Sequence, residues 1–291
     1  YMGKTSVLND QYYTKQNIAI DCLKILKNKL LDYIEFENEV ILEPSAGTGS
    51  FIEAANIVLK PKEILAIDID PKHESIKKKD FFEFETNKIV LTIGNPPFGK
   101  KSDLAIDFFN HASQYSHTIA FVVPVQFRKY GIQKKLNNCF KLIWDHTLPE
   151  AAFVNQEQSV QYNIRCCFQI WTCLKTKYDN LRLMETPPTA HPDFEMFQYN
   201  NTKETIKYFD YDWDFAVFRQ GFYDYSLRFY HKQELNPKRQ YIFFKANNKT
   251  VLKILKSLNF EKIARKNTVI PGFGKADVIE EYNKCCLECG W

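Results

Sequence analysis

The sequence predicts an α/β chain: a doubly wound, mostly parallel sheet with an antiparallel hairpin at its edge, followed by a smaller C-terminal α+β region. Three observations carry this. Short β-branched runs alternate with helical patterns through the first half of the chain. Two of those runs lead straight into turns rich in glycine or proline, at Gly47 to Gly49 and at Asn95 to Gly99. Later, the strand-like runs 141–147 and 163–174 have no helical pattern between them, as expected of an antiparallel pair.

In chain order, 39–42 is a buried strand, Gly47 and Gly49 permit a tight turn, and 50–59 continues as an amphipathic helix. This is the nucleotide-binding start of a doubly wound sheet. A Cβ at the glycines would hold the backbone away from a flat ligand, and the helix N-terminus offers unpaired N–H groups. Ile52 stands where a dinucleotide fingerprint needs its third glycine, which disfavours NAD. The strand 63–68 ends in Asp68, about 20 residues after the glycine turn, where two acceptor oxygens would hold a ribose diol. Asp70 points the same way along an extended segment, and equally suits the N-cap of a helix starting near Pro71. Lys79-Asp80-Phe81-Phe82 falls at the end of a third strand, where Asp80 can accept from an exocyclic amino group while Phe81 packs near its ring. A strand ending at Gly94 opens onto Asn95-Pro96-Pro97-Phe98, which taken alone could be a rigid turn. A helix over 103–115, a strand over 118–123 and a helix over 126–138 precede the hairpin. The polar stretch 149–161 reads as a loop on the active-site side.

Taken together and in this order, these motifs resemble the class I S-adenosylmethionine-dependent adenine-N6 methyltransferases of the gamma class. Asp10-Gln11-Tyr12-Tyr13-Thr14 resembles that family's N-terminal cofactor motif, and the stretch from Glu43, Pro44, Ser45, Ala46, Gly47 and Gly49 to Phe51 its first motif. Asp68, with Ile69, resembles the ribose acid, Asp80-Phe81 the adenine contact, and Asn95 to Phe98 the catalytic motif, with Asn95 also beside the cofactor. The resemblance covers roughly residues 9 to 175, and the linear order is more specific than any single motif. It implies S-adenosylmethionine as cofactor, a Rossmann-like, doubly wound, mostly parallel seven-stranded sheet, and target recognition in the C-terminal part.

What Asn-Pro-Pro-Phe can do follows from its chemistry. The exocyclic amine of adenine is a poor nucleophile, because its lone pair is delocalised into the ring. The Asn95 side-chain oxygen and the Pro96 carbonyl can each accept one N–H of that amine, favouring a pyramidal nitrogen whose lone pair faces the methyl donor. Pro96 and Pro97 fix φ and remove competing N–H donors. Phe98 offers a face for an unstacked base, contributing about 1 to 3 kcal/mol. No strong general base is required, because the nitrogen becomes acidic only after methylation.

Composition is consistent with a catalytic domain and an appendage. A chain of 291 residues with 45 % hydrophobic content can bury a sizeable core. No run of 18 apolar residues occurs and no signal-type apolar segment follows Lys4, so neither a membrane span nor secretion is expected, and a cytoplasmic or nuclear setting is. Of the eight cysteines, Cys166, Cys167 and Cys173 fall in one strand-like run and read as reduced core thiols. Cys285, Cys286 and Cys289 suggest a metal, but no second CxxC or spaced His pair accompanies them, so no metal is expected and they read as the end of the last helix.

The catalytic domain is expected to span 1–182, with a proline-rich linker over 183–192 and a nucleic-acid recognition region over 193–291. Residues 1–150 hold 19 basic and 19 acidic side chains, whereas 228–275 hold 12 basic and 2 acidic, so the overall +4 conceals a basic segment. Before and within it, aromatics and cations interleave: Arg219, Tyr223, Tyr225, Arg228, Lys232, Lys238 and Arg239 are the candidate nucleic-acid contacts. Against this, Lys253, Lys256, Lys262 and Lys266 also suit the solvated face of a helix, and the aromatic run also suits a core. The C-terminal appendage favours site-specific DNA, as in restriction-modification systems, over RNA, because groove reading opposite a flipped base needs a module of its own. Methylation of a protein glutamine amide, another planar conjugated nitrogen, is a third possibility that the basic segment disfavours.

Overall fold

The computed structural model describes residues 12–288, and the chain divides into two compact units, Tyr1–Met184 and Glu185–Trp291. In the first, β1 (Tyr13–Thr14) and α1 (Gln16–Leu30) precede β2 (Val40–Glu43), α2 (Ser50–Val58), β3 (Glu63–Asp68), β4 (Lys77–Lys78) and β5 (Val90–Gly94). Then come α3 (Asp103–Ala112), β6 (Ser116–Pro124), α4 (Tyr130–Gln133), β7 (Lys141–Thr147), β8 (Phe153–Val154), β9 (Gln161–Tyr162) and β10 (Cys166–Thr172).

Seven strands form the main sheet in the order β4-β3-β2-β5-β6-β10-β7. Strands β4 to β6 pair in parallel, while β10 runs antiparallel to both β6 and β7. The expected hairpin is present, but β10 inserts between β6 and β7, so the outermost strand is β7. Side chains alternate across the sheet. One face packs Ile41, Leu91, Ile93 and Val122 against Leu23, Leu26 and Ala54 of α1 and α2. The opposite face packs Leu42, Ile119, Phe121 and Trp171 against Ala105, Ile106 and Phe109 of α3. Helices therefore cover both faces, as a doubly wound sheet requires.

Three local expectations are corrected. The helix expected over 126–138 is a 3-10 turn, Val125–Arg128, and the one-turn α4, split by Lys129 in an extended conformation (φ −84°, ψ 137°). From the end of α4 onward the carbonyls of Gln133, Leu136, Asn137 and Phe140 accept from the buried guanidinium of Arg182, those of Gln133 and Asn137 while also closing short turns with the Leu136 and Phe140 N–H groups. The stretch 149–161 is not a free loop: Phe153 is fully buried, and β8 lies between β1 and β9 in a three-stranded antiparallel sheet. Asp70 caps no helix, because a turn and β4 follow Pro71; its carboxylate pairs with Lys72 Nζ at 2.5 Å.

The second unit holds β11 (Phe194–Tyr199), β12 (Phe215–Phe218), β13 (Tyr241–Ala246), α5 (Lys249–Ser257), α6 (Phe260–Lys266) and α7 (Lys275–Glu288). Its antiparallel sheet, β11-β13-β12, buries Phe194, Met196, Ile242 and Phe244 against the three helices. Tyr199, Tyr241 and Phe243 face the other way, onto Phe209 and Leu235.

Candidate active site

The strand ends β2, β3 and β5 and the segment leading into α1 converge on a cavity of about 290 Å³. Its lining includes every expected cofactor residue of the first unit except Gly49, together with Asn95, Pro96, Pro97 and Phe98. Gly49 stands just outside it, at φ +88° as the residue before α2. Asp10 and Gln11 lie outside the described residues.

At the β2 turn, Gly47 adopts φ +52°, and a Cβ there would fall 2.8 Å from the Tyr13 ring. The glycine thus permits both the left-handed turn and the close approach of the N-terminal segment. Its N–H donates to Asp68 Oδ2 at 2.7 Å, and the Asp70 N–H donates to Asp68 Oδ1 at 2.8 Å. Both carboxylate oxygens are fixed by backbone donors and each keeps lone-pair capacity, an arrangement suited to a vicinal diol. Asp80 accepts the Phe82 N–H at 3.0 Å through Oδ1. Phe81 is buried against Phe108, at 5.0 Å between ring centres, and lines the cavity.

Glu43, at the end of β2, is 1 % exposed. Its Oε1 accepts the Ser45 N–H at a long 3.4 Å, and its Oε2 has no hydrogen-bond partner. Burial pushes its carboxyl well above the usual carboxylate range, with Asp68 adding repulsion. The hydroxyl of Thr14 is likewise buried without a partner. Buried polar atoms without partners are costly, and at a cavity wall they mark where a polar ligand completes the network.

Asn95 shows the same pattern with more direction. Its Nδ2 donates to the Tyr12 carbonyl at 2.9 Å, while its Oδ1 is buried with no partner. Because a carbonyl only accepts, this contact assigns the amide: nitrogen toward Tyr12, oxygen left as an available acceptor. The Asn95 carbonyl accepts from Ser45 Oγ at 3.2 Å, joining the two turns. The Phe98 carbonyl accepts from the Ala105 N–H at 3.4 Å, joining the Asn95–Phe98 turn to α3. The Tyr12 segment is itself held by strand pairing, Tyr13 with Val154 and Thr14 with Phe153, and by an edge-to-face contact between Tyr12 and Tyr162 at 4.9 Å. Sequence reasoning missed the Tyr12 carbonyl, Leu104 and Phe108 of the cavity wall, and this β8–β9 support.

The residues present fit S-adenosylmethionine: a fixed diol acceptor at Asp68, an acceptor at Asp80 for an exocyclic amino group, an aromatic wall, and unpartnered polar groups at Glu43 and Thr14. No group of three or more His, Cys, Asp or Glu side chains able to hold an ion occurs among the described residues. Cys285 and Cys286 lie within α7, and Cys289 lies outside the described residues. No described helix is long and apolar enough to cross a membrane.

In the second unit the expected nucleic-acid contacts separate. Tyr225 is 1 % exposed, with its hydroxyl donating to the Gly221 and Pro271 carbonyls, so it belongs to the core and presents no stacking face. Arg228 donates to the carbonyls of Tyr225, Ser226, Leu227, Lys256 and Leu258 and stacks over Phe260, so it clamps the fold instead of meeting phosphate. Arg219 is half-buried against Gln240, and burial lowers its basicity. Lys232, Lys238 and Arg239 stay exposed, with Arg239 over the Tyr223 ring at 5.0 Å and Lys232 paired with Asp210.

No protein-family model matches the chain. Over an alignment of 74 positions, covering 22 % of this chain and 20 % of its relative, the chain is 36 % identical to the type II methyltransferase M.CvrRI of Paramecium bursaria Chlorella virus XZ-6E. Among solved structures, a candidate class I S-adenosylmethionine-dependent methyltransferase of Listeria monocytogenes overlays with a TM-score of 0.47 at 16 % identity, covering 63 % of this chain and 67 % of that one. A candidate RNA methyltransferase of Pyrococcus horikoshii overlays with a TM-score of 0.46 at 19 % identity, covering 59 % and 91 % respectively.

Proposed function

We propose that this protein is an S-adenosylmethionine-dependent methyltransferase that modifies the N6 amine of adenine in DNA. The observation that carries the reading is the Asn95 amide, anchored through Nδ2 to the Tyr12 carbonyl with Oδ1 unpaired at the cavity wall. An acceptor without a donor of its own is what a substrate amine needs.

When bound, S-adenosylmethionine supplies an electrophilic methyl group on a sulfonium. Asp68 would hold the ribose hydroxyls, Asp80 would accept from the adenine amino group, and Glu43 and Thr14 would meet the polar end of the molecule. At the acceptor, Asn95 Oδ1 and the Pro96 carbonyl each take one N–H of the target amine, which withdraws its lone pair from the ring. Phe98 supports the extruded base, and a duplex target must be unpaired at a cost of a few kcal/mol to reach it. The proton left on the nitrogen is acidic and passes to solvent.

Residues 193–291 supply target recognition in this reading, and DNA is favoured over RNA because a separate unit carrying the basic segment 228–275 suits groove and backbone contacts beside a flipped base. The test is product analysis. Protein is incubated with labelled S-adenosylmethionine and either mixed-sequence duplex DNA or total RNA, and each is digested to nucleosides. N6-methyldeoxyadenosine is expected. Label in RNA adenosine alone would overturn the DNA assignment, and label in neither would overturn the nucleic-acid reading in favour of a protein amide.

A further inference from the structure

The basic segment of the second unit resolves into two sets of cations. Lys232 pairs with Asp210, Lys245 with Asp212 and Asp214, Lys262 with Glu281, Arg265 with Glu261, and Lys266 with Glu280. These charges are neutralised within the fold. By contrast Lys249, Lys253 and Lys256 of α5 have no acidic partner among the described residues; Lys238, Arg239 and Lys275 lack one too, but only the α5 lysines share one helix.

Their spacing places them together. Positions four and three apart on a helix share a face, so Lys249, Lys253 and Lys256 form one stripe along α5. Val251 and Leu255 fill the opposite, buried face. At the C-terminal end of the stripe, Lys256 Nζ sits 4.7 Å from the ring centre of Tyr230, which is 44 % exposed. At its N-terminal end, Lys249 is the first helical residue and no acidic side chain occupies that turn. A cation there opposes the helix dipole, so local helix stability does not account for it, whereas an anion over the stripe would be favoured by lysine and dipole alike.

We infer that the Lys249–Lys253–Lys256 stripe, with Tyr230 at its end, is the surface on which the second unit tracks the sugar-phosphate backbone of duplex DNA. This rests on the proposed function and relocates its contacts from Arg219, Tyr225 and Arg228 to α5. Charge complementarity is the argument: the stripe runs along roughly 10 Å of helix, enough for two or three consecutive phosphates of one strand.

The experiment measures binding of mixed-sequence DNA and RNA duplexes of about 30 base pairs by fluorescence anisotropy across a salt series, with the wild type also assayed for methylated nucleoside. Three full-chain proteins are compared with the wild type. One carries Lys249→Gln, Lys253→Gln and Lys256→Gln, one carries arginine at the same three positions, and one removes the paired cations through Lys232→Gln, Lys262→Gln and Lys266→Gln. The first should lose about 2 to 3 from the slope of log affinity against log salt, close to 0.9 per lost phosphate contact. The arginine variant should keep the wild-type slope. The third, with the same change in net charge, should lose less than half as much as the first. Equal losses in the two glutamine variants would overturn the inference by reducing it to net charge. A loss seen only with RNA would overturn DNA as the occupant. Slope loss on DNA without any methylated nucleoside would support the stripe while the methyltransferase reading fails.

Discussion

The Asn95 side chain donates through Nδ2 to the main-chain carbonyl of Tyr12, 83 positions away, at 2.9 Å. This bond converts an amide that could present either end into one that presents an acceptor, and it ties the N-terminal segment to the geometry of the cavity wall.

That segment is positioned by β8 and by the Tyr12–Tyr162 ring contact. An edge-to-face pair is worth about 0.5 to 1.5 kcal/mol, so Tyr162→Ala should lower kcat by about 2- to 12-fold. Tyr162→Phe keeps the ring and should restore the rate. Steady-state kinetics separates this from simple loss of binding: a change confined to KM would contradict it.

Asp68 accepts two backbone N–H groups, and a carboxamide there would set its own N–H against one of those donors. Asp68→Asn should weaken S-adenosylmethionine binding by about 10- to 100-fold, as expected for hydrogen bonds to a charged group worth about 1.5 to 3 kcal/mol. Calorimetry measures this directly, and unchanged affinity would remove Asp68 from the cofactor site.

Glu43 is held above its usual carboxylate range by burial, so the folded state binds its proton more tightly than the unfolded chain does. Its contribution to stability is therefore complete below the unfolded pKa, near 4.3, and declines as pH rises from there toward the folded value. Glu43→Gln cannot ionise. Without ligand, the difference in Tm between this variant and the wild type should move in favour of the variant from pH 5 upward. A difference independent of pH would show that Glu43 is ionised in the fold.

Gly94 closes β5 at φ +140°, and a Cβ there would lie 2.2 Å from Glu43 Oε1. Overpacking at such a site costs about 1 to 3 kcal/mol, with backbone strain in addition. Gly94→Ala should lower the urea midpoint without changing the m-value. An unchanged midpoint would mean that the β2 and β5 ends are not packed as described.

The parts of the fold legible in the sequence are those governed by local chemistry. Gly47 and Gly49 announce a turn because a left-handed backbone favours glycine, Asp68 ends a strand of β-branched residues, and Asn95 to Phe98 carries its acceptors in four consecutive positions. What escaped the sequence depends on distant partners. The Tyr12 carbonyl has no side-chain signature at all. Arg182 looks like an exposed residue at the edge of a proline-rich stretch, yet it is buried and collects four backbone carbonyls from the end of α4 and the chain beyond it, where no further helix forms. Arg228 and Tyr225 have the composition of a nucleic-acid contact and the hydrogen bonds of a core, a distinction that only tertiary packing makes.

The central claim is that Asn95 Oδ1 acts on the target amine. Single-turnover methyl transfer to duplex DNA by Asn95→Ala, at saturating S-adenosylmethionine with affinity confirmed by calorimetry, tests it most directly. Losing one preorganised hydrogen-bonding group of this kind costs about 100- to 1000-fold in rate, and that loss is predicted with cofactor affinity within about tenfold of the wild type. Transfer at a rate within tenfold of the wild type would contradict the account.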